Sequence, residues 1–136
     1  PLDDPELLQF IHSQVIGPSE EPLNLTAPQK LDESQVGQSK AVDDILKGRK
    51  KGFYVECGAF TGETFSNSLY FERARNWTGL LIEVDPTAFA ELISKNRHAY
   101  TLNACLSSSN ATMTAEEIGL VDGQSLTHMT GQVSEW

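Results

Sequence analysis

The spacing of apolar residues changes period several times along the chain, and each change marks an element. Leu7, Leu8, Ile11, Val15 and Ile16 recur at helical distances, so Pro5 to Ile16 predicts a helix that Gly17-Pro18 stops. Gly17 to Lys30 carries three prolines among polar residues and predicts a connector that lies over a surface without building a core. A second helix is expected to start from a cap at Ser34 or Ser39, with Val42, Ile45 and Leu46 on one buried face and Gly48 at its C-terminal end. Phe53 to Cys57 is a short β-rich run broken by Gly58 and Gly62, which predicts a strand entering a glycine turn. Glu63 to Arg75 has no Gly or Pro and reads as a helix, although Ser66-Asn67-Ser68 weakens the pattern. Thr78 to Val84 is a buried strand, Pro86 to Asn96 a helix opened by proline, and Ala99 to Leu106 a third strand.

Strands alternating with helices of this length predict an α/β fold, a doubly wound parallel sheet in the order 3-2-1 joined by right-handed crossovers. After Ser107 the periodicity fades. Ala115 to Val121 is ambiguous between a strand and a turn of helix, and Gly123 to Trp136 has no sustained period. The chain therefore divides into an N-terminal helix and connector over 1–33, an α/β unit over 34–107 and an unassigned tail over 108–136.

Composition narrows the functional classes. The chain has 136 residues, 39% of them hydrophobic, enough for a core without metal or disulfide staples. A formal net charge of −9 repels phosphate backbones, and the one basic run, Lys47 to Lys51, falls in an expected turn, so nucleic-acid binding is not expected. No stretch reaches the roughly 20 apolar residues of a membrane span. Cys57 and Cys105 sit beside apolar runs, as small buried hydrophobes do, and the strand order keeps them from pairing, because two strand spacings of about 4.8 Å exceed the reach of about 7 Å between bridged Cα atoms. Three N-x-[ST] sequons, at Asn24, Asn76 and Asn110, favour a lumenal setting over a cytoplasmic one. His12, His98 and His128 are isolated and predict no metal site. Asp43-Asp44 and Glu116-Glu117 read as solvated faces.

The strongest constellation is Glu56-x-Gly58-x-x-x-Gly62 directly after the first strand, with Glu83 closing the second. Glycines there allow a ligand close to the backbone, and a carboxylate at the second strand's end can accept from two ribose hydroxyls. The pattern is not G-x-G-x-x-G, since Glu63 stands where the third glycine would be. An acid at that point opposes a pyrophosphate, which favours a cationic nucleoside such as S-adenosylmethionine over a dinucleotide and disfavours a nucleotide-binding Rossmann module.

Several segments taken together carry a family likeness: Asp4-Pro-Glu-Leu-Leu8, Ser34 to Val42, Gly52-Phe-Tyr-Val-Glu-Cys-Gly-Ala59, Gly62-Glu-Thr64, Ser66 to Glu72, Asn76 to Glu83, Asp85-Pro86 and Ser94-Lys-Asn-Arg97. Over about residues 3 to 107 the chain resembles the FkbM-type methyltransferase domain, in the form found in arthropod Star-like proteins. The resemblance implies a class I methyltransferase fold, S-adenosylmethionine as cofactor and O-methylation of small or sugar-like acceptors. By position, Glu56, Gly58 and Gly62 would hold the cofactor's methionine part and Glu83 its ribose, with Ala59 a further cofactor-binding candidate. Star-like relatives imply instead a role without catalysis on the lumenal side of endoplasmic reticulum and Golgi membranes. There the partner is a growth-factor ligand precursor or other secretory cargo, and the anchor is a segment outside this chain. The family continues with further strands and an Asp-x-Glu-Gly segment that nothing after Ser107 matches, so the sequence predicts a truncated domain, and a competent methyltransferase only in a full-length form. No catalytic residue is predicted.

Overall fold

The computed structural model describes residues 4–107 and 130–132. Helix α1 (Pro5–Gln14) is capped by Asp4, whose carboxylate accepts from the Glu6 and Leu7 N–H groups. Helix α2 (Gln38–Ile45) follows the connector. Strand β1 (Phe53–Cys57), helix α3 (Leu69–Arg75), strand β2 (Thr78–Glu83), helix α4 (Pro86–Ser94) and strand β3 (Tyr100–Asn103) then alternate. The three strands form a parallel sheet in the order β1-β2-β3, with Phe53 opposite Thr78 and Leu80 opposite Tyr100. The expected α/β class and 3-2-1 order are present, a shape compatible with a Rossmann-like fold. Strand β4 (Cys105–Ser107) pairs in parallel with β5 (Thr130–Gln132) in a separate two-stranded ladder. Ala115 to Val121, Asn110, Glu116-Glu117 and His128 lie outside the described residues.

Among the described residues, Tyr54, Ala59, Leu81, Leu92 and Ala99 form one apolar cluster, with Trp77 and Phe89 packed alongside, and Leu69, Phe71, Ile82, Ala88 and Leu102 are buried as well. The Tyr54 ring lies directly over Gly79, where a Cβ would collide with it. Only glycine lets β1 and β2 carry a tyrosine at that row.

Beside this core runs a polar network that periodicity does not predict. The Arg97 guanidinium, fully buried, donates from Nε to Glu72 at 2.8 Å and from Nη2 to the Tyr54 hydroxyl at 3.1 Å and to Ser68 Oγ at 3.0 Å. Its Nη1 donates to the Gly62 carbonyl. Glu72 also accepts from the Tyr54 hydroxyl at 2.7 Å and from the His98 N–H at 2.8 Å. Burial alone would lower the Arg97 pKa, but the Glu72 carboxylate reverses this and keeps the guanidinium charged. Burial likewise pushes the Tyr54 phenol far above its ordinary value.

A second carboxylate straps the connector to the α/β unit. Glu63 accepts from the N–H groups of Thr26 at 2.8 Å and Ala27 at 2.7 Å, and pairs with Lys95 at 2.9 Å. Arg73 adds two bonds of 2.6 Å to the carbonyls of Pro28 and Lys30, so the connector lies over the surface as its composition suggests.

Several expected boundaries shift, each for a polar or backbone reason. Val15 and Ile16 leave the first helix because Ile16 exchanges two backbone hydrogen bonds of 2.9 Å with Thr101, an antiparallel bridge on the outer side of β3. The helix expected from Glu63 starts only at Leu69, since Phe65 is left-handed at φ +61° and Ser66 to Ser68 are bound to Glu56. Asn96, at φ +55°, follows an α4 that has already ended at Ser94. The third strand breaks at Ala104, whose N–H turns to the Glu83 carbonyl. Helix α2 is capped by neither serine: Gly37 occupies the N-cap at φ +79°, and Ser39 donates to the Asn67 carbonyl instead. Its expected apolar face points outward, with Val42 and Ile45 exposed, while Asp43 is buried against Arg75 (2.6 and 2.7 Å) and the Tyr70 hydroxyl. The solvated reading of Asp43 is thus corrected, because a paired carboxylate, not an apolar row, fixes how α2 meets α3.

Two stability predictions follow from these networks. Arg97→Met strands the Glu72 carboxylate in the core and should lower unfolding free energy by about 3 to 5 kcal/mol, whereas the double variant with Glu72→Leu should recover part of the loss; urea denaturation of the three proteins measures both. Glu63 is held at a pKa of about 2 against an ordinary 4.5: burial opposes this, but the two backbone N–H groups and Lys95 prevail. Its contribution, about 3 kcal/mol, is complete above pH 4.5 and disappears as pH falls towards 2. Stability measured across that window should fall less steeply for Glu63→Gln than for the unaltered chain.

Candidate functional site

Parallel α/β sheets bind ligands in the crevice beyond the carboxyl ends of their strands. At that end a cleft of about 280 Å³ is lined by Cys57, Gly58, Ile82, Val84, Ala104 and Cys105, with Leu106 at its rim. Gly58 is left-handed at φ +71°, and a Cβ there would meet nothing within 4 Å, so a ligand has open backbone to approach.

The five residues singled out by spacing are not gathered around this cleft, and Gly58 alone lines it. Ala59 is buried in the core. Gly62, at φ +75°, sits against the Leu92 side chain and gives its carbonyl to Arg97. Glu56 turns towards α3, accepting from the Asn67 N–H at 2.7 Å, from the Ser66 hydroxyl at 2.9 Å and from the Ser68 hydroxyl. Glu83 is buried, and both its oxygens are engaged: Oε2 accepts from the Phe60 N–H at 2.7 Å and Oε1 from the Asp85 N–H at 2.8 Å. It therefore ties the turn after β1 to the turn after β2.

A ribose needs a carboxylate with free acceptor positions facing the cleft, and a sulfonium needs anionic or dipolar groups around it. Glu83 and Glu56 both accept from backbone and hydroxyl donors of their own chain, and neither lines the cleft, so neither is presented to it as a ribose- or sulfonium-binding carboxylate would be. The cleft lies at the lower end of the usual range of small-molecule sites, about 300 to 1,000 Å³.

The cysteines differ from the expectation in one respect. Both are free, but Cys57 is exposed and Cys105 half-buried, since each lies at a strand end that opens to the cleft. Desolvation, and then the Glu56 carboxylate, push the Cys57 thiol pKa up, which leaves it a weak nucleophile at neutral pH. Among the described residues no three His, Cys, Asp or Glu side chains gather to hold a metal ion. His12 is exposed, and His98 is exposed with its Nε2 3.0 Å from the Glu21 carbonyl. No helix among the described residues is long and apolar enough to cross a membrane.

Of the sequons, Asn24 is exposed and donates its amide to the Ser94 carbonyl at 3.0 Å. Asn76 is exposed in the left-handed position that ends α3. The residues missed by spacing are Arg97, Glu72 and Tyr54, which hold Gly62 and Ser68 of the loop between β1 and α3; a lone Arg before a strand and a lone Glu inside a helix carry no local signal. Comparison with family models, curated proteins and solved structures gives no match.

The geometry makes Glu83 a structural fastener. Glu83→Ala leaves two N–H groups without their charged acceptor and should cost about 2 to 4 kcal/mol, while Glu83→Gln, which keeps one acceptor oxygen, should cost roughly half of that. Chemical denaturation of both variants checks the order.

Proposed function

We propose that the chain is a methyltransferase-like domain of the FkbM type, related to Star-like proteins, whose cofactor cleft does not serve catalysis and whose role lies in secretory-pathway handling of growth-factor precursors or similar cargo. The observation that carries this reading is the inward commitment of Glu56 and Glu83, the two carboxylates that a working cleft would turn towards methionine and ribose. Each Glu83 oxygen already holds a backbone N–H from a turn of its own chain, so only its remaining lone pairs are left for a ribose and the carboxylate is fixed by those turns rather than by a ligand. Two exposed sequons, Asn24 and Asn76, support a lumenal compartment.

A second reading is a working S-adenosylmethionine-dependent O-methyltransferase, with further residues completing the site. The open left-handed Gly58 at the end of β1 favours it, because such a position admits a ligand against the backbone.

Isothermal calorimetry decides between them. The proposed function predicts no heat of binding on titrating S-adenosylmethionine into the protein; a micromolar dissociation constant would defeat it and promote the enzyme reading. The compartment is tested separately, by an endoglycosidase-sensitive mass shift of the protein from its native cells that Asn24→Gln and Asn76→Gln reduce. An unshifted mass would remove the lumenal part of the proposal.

A further inference from the structure

A cavity of about 240 Å³ lies at the β3 edge of the sheet, between the connector that follows α1 and helix α4. Its apolar walls are Ile16, Leu92, Ile93 and Ala99, and it shares no lining residue with the cleft at the strand ends. Ile16 and Ile93 are 47% and 38% exposed, so the cavity opens between connector and helix. A Cβ at Gly17, beside Ile16, would meet nothing within 4 Å, which leaves that opening clear. The connector is held over the cavity by the backbone exchange between Ile16 and Thr101 and by the Ser19 N–H, which donates to the Arg97 carbonyl at 3.1 Å. The Ile16 bridge takes the outer side of β3, so this edge of the sheet is closed within the described residues.

One polar group on the wall is unpaired. Thr101 is 4% exposed, and its Oγ1 is buried with no hydrogen-bond partner among the described residues. The sheet sets its direction: Leu81, opposite Thr101 on β2, packs with Leu92 of α4, and residues paired across neighbouring strands face the same side. Thr101 therefore faces α4, where the cavity lies. A hydroxyl buried without a partner carries a free-energy cost that a bound hydrogen-bonding group returns. Ser19, half-buried, is a second polar group on the wall; its oxygen accepts from the Glu21 N–H at 3.1 Å, and its own O–H remains to donate. Among the described residues the one charged side chain on the wall is Arg97, and its guanidinium is directed to Glu72, Gly62, Tyr54 and Ser68.

We infer that this cavity binds a small neutral alcohol, its apolar body against Ile16, Leu92, Ile93 and Ala99 and its hydroxyl on Thr101 Oγ1. Volume sets the size: an apolar cavity of about 150 Å³ takes one benzene ring, so about 240 Å³ holds a body of roughly six to eight carbons with its polar substituent. A cation or carboxylate of that size would lose its hydration without meeting a counter-charge, so charged relatives are rejected. A bound alcohol touches the connector, α4 and β3 together, and its occupancy stabilises the folded chain. The inference does not depend on whether the cleft at the strand ends takes a cofactor.

Amide-resolved NMR on the full chain tests this with benzyl alcohol, toluene and benzylammonium as probes. Benzyl alcohol should shift the Ser19, Ala99 and Thr101 signals saturably, with a dissociation constant of about 1 mM or lower, and benzylammonium should leave them unmoved. Thr101→Val keeps the shape of the wall and removes the hydroxyl, so the affinity for benzyl alcohol relative to toluene should fall about fivefold. Ile93→Trp narrows the mouth from a partly exposed position outside the core and should weaken both probes about tenfold, which keeps the test decisive if Thr101→Val folds poorly. No saturation at about 20 mM benzyl alcohol, twenty times the expected constant, would overturn the proposal. Equal binding of benzylammonium would overturn it as well. So would an unchanged ratio of the two neutral probes in Thr101→Val, since water alone would then be the partner of the hydroxyl.

Discussion

The buried ion pair between Arg97 and Glu72 is the constraint around which the α/β unit is arranged. Two charges taken out of water are tolerated only where every remaining donor and acceptor is met, and here Tyr54, Ser68, Gly62 and His98 meet them. Those partners come from β1, from the loop before α3 and from the turn before β3. One guanidinium therefore sets the distance between helix and sheet, and it also freezes the loop that follows β1. Apolar contacts are non-directional and would by themselves leave that loop free to take several conformations.

The parallel sheet was legible because apolar runs and helix signals are local. Phe53 to Cys57 and Thr78 to Glu83 stand where the pattern places them, and Asp85-Pro86 opens α4 with the Asp85 carboxylate accepting from the Ala88 N–H at 2.8 Å. What the pattern missed was decided by polar groups distant in sequence. Val42, Ile45 and Leu46 describe an apolar face, yet α2 is oriented by Asp43 reaching Arg75, 32 residues away. Ser66-Asn67-Ser68 weakens a helix locally, but the reason it forms none is the Glu56 carboxylate on the preceding strand, 10 to 12 residues earlier. Val15 and Ile16 fit a helical period equally well, and only the backbone of β3 pulls them out of it.

The candidate site was legible in position and illegible in direction. Sequence spacing sets Glu56, Gly58 and Glu83 at the carboxyl ends of adjacent strands, and the fold keeps them there. It does not say whether a carboxylate at a strand end faces the crevice or the protein, because that depends on which N–H groups the neighbouring turns leave unpaired.

At Glu83 those unpaired groups are what decide the outcome. Phe60 is a non-glycine residue at φ +50°, a conformation that costs about 1 to 2 kcal/mol and persists only when something holds it. Its N–H is held by Glu83, and the same carboxylate holds Asp85, whose own side chain caps α4. Turning Glu83 towards a ligand would release a strained turn and loosen a helix start together. A carboxylate that offsets two such costs within its own chain is poorly placed to exchange its donors for a ribose, and a small Gly-rich turn in place of Phe60 would have removed that conflict. Position in the fold thus brings the acidic residue to the crevice, and the phenylalanine beside it turns the acid inward.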